Sequence, residues 1–262
     1  METKKKLFIG ELIDSIKSFD YYKEVYKQSI ARAFKYFSIL ILLYAIVATI
    51  VSINETNKVL NSSKSFIESE IKSIRYSEGT LEVDDNEKKS YLNDKVIIDT
   101  SIDNLDEYSS DFILVKDKFR ITLEGKKFDF KYNDFINQEF DKQTLIEALD
   151  IKNYIFGIIV ITLLMSYIVL FISTMLDVLV ISLIGFIISS IVGNNSFRFK
   201  NIFCIAVHSI TLSVVMGMIY FIINTFTGFE VKYFSTMYTS LATIYMITAI
   251  LLIRSEKNKD NT

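Results

Sequence analysis

The sequence predicts an α-helical polytopic membrane protein of about five membrane helices, with an inserted extracytoplasmic α+β domain. Three observations carry that expectation. Half of the 262 residues are hydrophobic, and they are clumped into blocks nearly free of charge. The blocks approach the roughly 20 apolar helical residues that cross a hydrocarbon core about 30 Å thick. A polar stretch of about 100 residues separates the first block from the others, long enough to fold by itself.

Residues 1–36 are expected to form a cytoplasmic amphipathic N-terminal region. They hold eight Lys/Arg against five Asp/Glu. Phe8, Ile9, Leu12, Ile13 and Ile16 follow the spacing of one helix face, with lysines and acids on the other. A basic amphipathic helix beside a membrane segment tends to lie in the headgroup plane. Its plain role is juxtamembrane support; recognition of anionic lipid or of a partner is the sharper one. In "SFD", residues 18–20, either Ser18 or Asp20 can accept from the first free amides of a second helix. That helix is expected to run from Tyr21 straight into the first transmembrane helix, residues 37–53. The polar region before this block is far longer than the basic n-region of a cleavable signal. No small-x-small site precedes "NETNK", so the block reads as a retained signal anchor.

Residues 54–153 carry 15 Lys/Arg and 22 Asp/Glu, a local net charge of −7. They open with the helical stretch "NKVLNSSKSFIESEIKSI". Strand-like pieces follow: "TLEV", "KVIIDT", "DFILV", "KFRITL" and "KFDFKY". The last two flank "EGK", a short Gly-containing turn that reads as a β-hairpin. Phe128 and Phe130 alternate with Lys127, Asp129 and Lys131, as in a half-buried strand. "FDKQTLIEALD" then reads as a helix leading back to the membrane.

The bundle is expected over 154–253, with helices at about 154–173, 176–193, 201–224 and 234–253, then a polar tail, 254–262. A single helix over the 40-residue run from Tyr154 to Gly193 would reach about 60 Å, so a turn is expected at Ser173–Asp177. Basic residues set orientation, and the eight in the N-terminal region place it in the cytoplasm. Five crossings would put "NNSFRFK" and "RSEKNK" outside, against that rule. If 174–193 is instead a re-entrant or cytoplasm-facing helix, Arg198, Lys200, Arg254, Lys257 and Lys259 fall inside, and only Lys232 lies in a short outside loop. Charge favours four crossings and apolar length favours five.

Two residues are candidates for intramembrane chemistry. Asp177 is the only formal charge between Tyr154 and Gly193, and His208 is the only histidine. An Asp inside a bilayer costs about 2.5–3.5 kcal/mol on insertion scales. At a hairpin tip Asp177 would reach water and cap the helix beginning at Val178. At depth it would pair with His208 or bind a cation or proton. A third reading has it packing against neighbouring Ser or Thr. His208 reads as a hydrogen-bonded helix contact, since a lone His cannot form a His-pair metal site. Ser182, Gly185 and Ser189 form a small-residue packing face.

No H-E-x-x-H, G-x-S-x-G, P-loop or G-x-G-x-x-G sequence is present, and one His and one Cys nearly exhaust the usual nucleophile–base pairs. No cofactor or metal is expected. Asp84, Asp85, Asp99 and Asp103 do not match the spacing of a calcium loop and read as a solvated acidic face. A net charge of −2 gives no global basic field for nucleic acid, and Cys204, being the only cysteine, allows no intrachain disulfide.

"SFDYY" at 18–22, "DKVIIDTS" at 94–101, "DFILVKDKFRI" at 111–121 and "FRFKNIFCIAVHSIT" at 197–211 occur in an order and spacing that resemble the bacterial membrane-protein family catalogued as domain of unknown function 1189. The last motif is also remotely similar to the core of Yip-type five-helix membrane proteins, although the proline frequent in that pattern is missing here. The resemblance implies a multi-span protein with one extracytoplasmic insertion and, for some members, a loose association with maltodextrin use. It supplies no catalytic residues. The expected function is that of a non-enzymatic accessory or sensory protein of the cell membrane, with the bilayer and another membrane protein or a transporter as partners. The alternative is a component of a solute transport system linked to sugar uptake.

Overall fold

A computed structural model describes residues 7–84, 87–91, 94–123, 125–150, 154–191 and 197–259. Its chain divides into two compact units, one of residues 1–53 and 156–262, the other of residues 54–155.

The first unit is helical. It contains α1 (Phe8–Lys17), α2 (Tyr21–Val25), the first part of α3 (Ile30–Glu70), α5 (Ile155–Ile191), α6 (Phe199–Ser209), α7 (Thr211–Thr227) and α8 (Phe234–Lys259). Among the described residues, four helical stretches are long and apolar enough to cross a membrane: α3, α5, α6–α7 taken together, and α8. The protein is therefore mostly helical in a way compatible with multi-pass insertion.

Three expectations about these helices are corrected. The turn at Ser173–Asp177 is absent, because α5 runs unbroken for 37 residues and joins the segments 154–173 and 176–193. Nothing in "STMLDVLVIS" breaks a helix: it contains neither Pro nor Gly, and the side chain of one Asp does not outweigh the continuous backbone ladder. The five expected apolar segments thus lie on four helical stretches. The second correction is that α2 does not continue into the first span. Residues 26–29 leave the helix, and Ser29 Oγ accepts from the Arg32 amide at the start of α3. Two carbonyls of this connection are satisfied from α6, by Asn201 Nδ2 on Tyr26 O at 2.6 Å and by Cys204 Sγ on Gln28 O at 3.8 Å.

The third correction concerns α1. Its apolar stripe is split: Phe8 and Leu12 pack against the bundle core, whereas Ile9 and Ile13 are exposed. The helix also buries Glu11, which the sequence pattern had assigned with the other acids to a polar outer face, and Ser15. Both are paired, and that is what makes their burial tolerable.

The centre of the bundle is α6, whose residues Ile202 to Ser209 are all buried. A helix apolar on all sides is expected to be surrounded. α5 buries Thr174, Val178, Ile181, Ser182, Gly185 and Ser189 in its C-terminal half, and Tyr167, Leu170 and Phe171 also pack against the bundle core. Gly185 is needed for that approach. A Cβ there would lie 2.5 Å from Met246 Cε and 3.2 Å from Ile202 Cγ2.

The second unit is strand-rich. Its helices are the last turns of α3 and α4 (Lys142–Ala148). Its strands are β1 (Ile74–Ser77), β2 (Thr80–Val83), β3 (Lys89–Tyr91), β4 (Val96–Ile98), β5 (Phe112–Leu114), β6 (Lys118–Leu123), β7 (Lys126–Lys131) and β8 (Phe140–Asp141). One sheet has the order β2-β1-β8, the other β3-β4-β5-β6-β7. All pairs are antiparallel except β4–β5, where Val96, Ile97 and Ile98 face Phe112, Ile113 and Leu114. The β6–β7 hairpin is present, with Leu123 opposite Lys126. β7 is more exposed than its alternation suggested, Phe128 keeping 44% of its surface, because it is the edge strand. The β1–β2 turn uses Glu78 and Gly79, both at positive φ, as a two-residue hairpin loop requires. Ile71, Ile74, Tyr76, Leu81, Val83, Ile98 and Tyr132 form the main core, with Phe66 and Ile67 of α3 and Leu145 of α4 against it. Asp141 caps α4, its Oδ1 accepting from the Thr144 amide at 2.8 Å.

Candidate functional sites

His208 lies near the end of α6 and has no exposed surface. Its Nδ1 is 2.8 Å from Ser15 Oγ. The Ser15 hydroxyl also donates to the Glu11 carbonyl at 2.7 Å, as a helical Ser does to the residue four back. One hydroxyl hydrogen cannot serve two acceptors, so the network assigns the proton to Nδ1 and makes the imidazole its donor. Nε2 is then a bare acceptor, and it has no hydrogen-bond partner among the described residues. Aromatic contacts fill the rest of the site. The Tyr36 ring stacks on the imidazole with centroids 4.1 Å apart, and Tyr21 meets it edge-on at 5.6 Å.

Three further ties hold α1 in place around this histidine, and a fourth contact joins α3 to α7 beside it. Arg32 of α3 ion-pairs with Glu11, with Nε donating to Oε1 at 3.2 Å and Nη2 closer. The Tyr22 hydroxyl donates to Ser15 O at 2.9 Å, and the Tyr245 hydroxyl of α8 to Ile16 O at 3.0 Å. Tyr36 Oη and Thr211 Oγ1 are 2.8 Å apart beside the histidine. Burial, and secondarily the charge of Glu11, raises the Tyr21 phenol above its ordinary range; burial does the same for Tyr22. Both stay neutral donors. The arrangement is a packed polar joint between helices.

Asp177 is placed elsewhere. It lies within α5, not at a helix start, so the expected cap is not made. It lines an open groove of about 430 Å³ with Val180, Ile181 and Ile184 of α5 and Thr239, Ser240, Thr243 and Ile244 of α8. No hydrogen bond or ion pair joins it to His208, whose one polar partner is Ser15. The two candidates therefore belong to separate environments. Ser15 and Tyr36 were missed as neighbours of His208, and Glu11 and Arg32 as the ion pair that holds α1 near it. The repeated tyrosines of "SFDYYKEVY" were the available signal, since Tyr brings an apolar body with a polar tip.

In the strand-rich unit, Asp84 and Asp99 are buried rather than part of a solvated face. Asp84 Oδ1 accepts from the Ser73 amide at 2.7 Å, and Oδ2 is 3.3 Å from Lys89 Nζ. Asp99 accepts from the Ser101 amide at 3.0 Å and from the Tyr108 hydroxyl at 2.7 Å. Burial pushes both carboxyls up, but these hydrogen bonds outweigh it and hold them below the usual carboxylate range. The other side of the Asp99 contact is a Tyr108 phenol pushed up to about 12. Asp85 lies outside the described residues. Among the described residues, no three of His, Cys, Asp and Glu come together as a metal site. A separate polar groove of about 370 Å³ runs past Tyr76, Glu78, Gly79, Asn133, Asn137 and Glu139.

Long apolar helices and a separate strand-rich region define a helical membrane-type protein with a discrete inserted domain. The chain belongs to the family described as proteins of unknown function, DUF1189, whose model matches residues 10–250. Comparisons with curated proteins and with solved structures give no match.

Proposed function

We propose that this is a non-enzymatic multi-pass protein of the cell membrane, accessory or sensory in role, whose strand-rich domain is extracytoplasmic and binds a partner or ligand. The observation that carries the reading is the compact unit of residues 54–155, placed in the chain between two helices of membrane-spanning length. With α3, α5, α6–α7 and α8 as four crossings and the N-terminus in the cytoplasm, Arg198, Lys200 and Arg254 fall on the cytoplasmic side. That agrees with the positive-inside rule. Another membrane protein or a transporter is the partner class, and the polar groove beside Asn133 and Glu139 is the surface for it. Nucleic acid is not a partner of a chain with net charge −2.

Single cysteines at Ser109 and Ser255 in a Cys204→Ser background test the topology. Ser109→Cys is expected to label from outside intact cells, and Ser255→Cys only after permeabilisation. Labelling of both from one side overturns the arrangement. For the function, Asn133→Lys or Glu139→Lys is expected to abolish binding of the partner without lowering membrane abundance. A partner retained by both variants removes the groove from the reading.

A second reading, a component of solute transport with sugar uptake as its substrate class, is favoured by one observation. Asp177 faces the α5–α8 groove with three hydroxyl residues, Thr239, Ser240 and Thr243. Asp177→Asn is then expected to abolish solute flux in vesicles. Unchanged flux leaves the accessory reading standing.

A further inference from the structure

One groove in the bundle combines cations with the lipid-facing side of a membrane helix. It has a volume of about 570 Å³ and is lined by Leu7, Phe8 and Glu11 of the α1 side and by Ala31, Arg32, Lys35, Tyr36 and Ile39 of α3. The α3 residues 32, 35, 36 and 39 follow the i, i+3, i+4, i+7 spacing of a single helix face, so the groove runs along the helix. Its order along the axis is informative. Arg32 and Lys35 come first, and Ile39 lies one turn further into the apolar block that begins at Phe37.

The charges do not cancel. Glu11 is matched by Arg32, whose side chain still keeps 43% of its surface. Lys35 is exposed and has no ion pair with any described residue. Ala31 sits in the first turn of α3, where the backbone dipole adds partial positive charge. On the α1 side Leu7 and Phe8 give the wall an apolar stretch beside the paired Glu11, and Leu7 keeps 83% of its surface. The sequence supplies Lys4, Lys5 and Lys6 immediately before it. Cations at the level where a helix enters the bilayer, above an aliphatic floor, match a phosphate above an acyl chain.

We infer that this groove holds an anionic phospholipid, its phosphate at Arg32 and Lys35 and the upper part of one acyl chain along Phe8, Tyr36 and Ile39. The lipid would bridge α1 to α3 beside Tyr36, whose ring also stacks on His208. The inference depends only on α3 lying in a bilayer. It stands whichever partner the strand-rich domain takes, and the labelling experiment above tests orientation separately.

The test uses the full chain in mild detergent, with phosphatidylglycerol, phosphatidylcholine or inorganic phosphate added, read by native mass spectrometry and by thermal melting. The wild type is expected to retain phosphatidylglycerol at least about fivefold over phosphatidylcholine, the weight of one basic residue near an anionic headgroup. Lys35→Gln is expected to lower that preference about fivefold and Lys35→Arg to keep it. The lipid-free melting temperature of both variants should match the wild type, because Lys35 is exposed. Equal retention of the two lipids, or an unchanged preference in Lys35→Gln, overturns the proposal. So does displacement of phosphatidylglycerol by an equal concentration of inorganic phosphate, which would make the groove a simple anion site.

Discussion

His208 in the bundle and Arg120 in the strand-rich unit are both buried, yet they are held in opposite ways. His208 is wholly buried with one polar partner and two aromatic neighbours. Arg120 keeps 6% of its surface and is saturated with acceptors. Its Nε and Nη2 meet the two oxygens of Asp129 at 2.6 and 2.8 Å, and Nη1 meets Asp106 Oδ1 at 2.6 Å and Leu105 O at 3.2 Å. Asp129 stands directly opposite Arg120 across β6 and β7, so the sheet register presents the fork to the carboxylate. The difference follows from charge. A guanidinium cannot shed its proton and must be paired wherever it is buried. An imidazole can be buried neutral, and then one hydrogen bond and good packing suffice.

The largest expected effect comes from breaking the saturated site. Arg120→Ala leaves Asp129 and the Leu105 carbonyl without this donor, leaves Asp106 with Lys127 at 3.4 Å, and empties the space of the arginine stem. Because the Asp129 and Asp106 side chains keep 48% and 68% of their surface, water replaces part of what is lost. The net cost should be about 2–3 kcal/mol, seen as a lower unfolding midpoint of the strand-rich unit. His208→Ala is next, at about 2 kcal/mol, from the cavity and the lost stack on Tyr36, read as a lower melting temperature of the bundle. Ser15→Ala should cost about 1 kcal/mol, since Nδ1–H then loses its acceptor. His208→Leu sharpens the comparison. It keeps most of the volume and removes the unpartnered Nε2, so it should melt within about 1 kcal/mol of the wild type. A folded His208→Leu protein that fails in the cell would show that the imidazole does more than pack.

The same contrast explains what the sequence disclosed. Apolar length marked the membrane helices, and alternation marked β2, β4, β5, β6 and β7, because both depend on neighbours in sequence. β1, β3 and β8 were not legible. They are two to four residues long, and β8 is defined only by pairing with β1, more than sixty residues away. Apolarity also could not tell α5 from α6–α7. None of the most apolar window of α5 is buried, against 78% of that of α6–α7. The distinction lies in the polar residues: His208, Ser209, Thr211 and Ser213 are all buried, each a group that needs protein around it. Asp177 was singled out as the one charge of its apolar run, but its expected position depended on a turn that no local residue encodes. Glu11 was misassigned, and Ser15 overlooked, for a related reason. Their partners Arg32 and His208 lie far along the chain, and a polar residue looks solvent-facing until its partner is known.

Asp99 and Tyr108 provide the smallest effect and the one most sensitive to conditions. The Tyr108 phenol is raised from 10.0 to about 12, first by its hydrogen bond to Asp99 and then by burial. A group whose folded value is raised stabilises the fold below its unfolded value and loses that contribution as pH climbs through the folded one. For Tyr108 the loss should therefore fall between pH 10 and about 12. Asp99 is shifted the other way: its contribution is present above the ordinary carboxylate range and is lost as pH falls below it. Urea unfolding of the full chain across both windows should show the two limbs separately. Tyr108→Phe should be slightly less stable than the wild type near neutral pH, and its alkaline limb between pH 10 and 12 should be flatter. Its acid limb should shrink without disappearing, because Ser101 still donates to Asp99. An alkaline limb of unchanged steepness in Tyr108→Phe would mean that other tyrosines, Tyr132 first among them, carry that dependence.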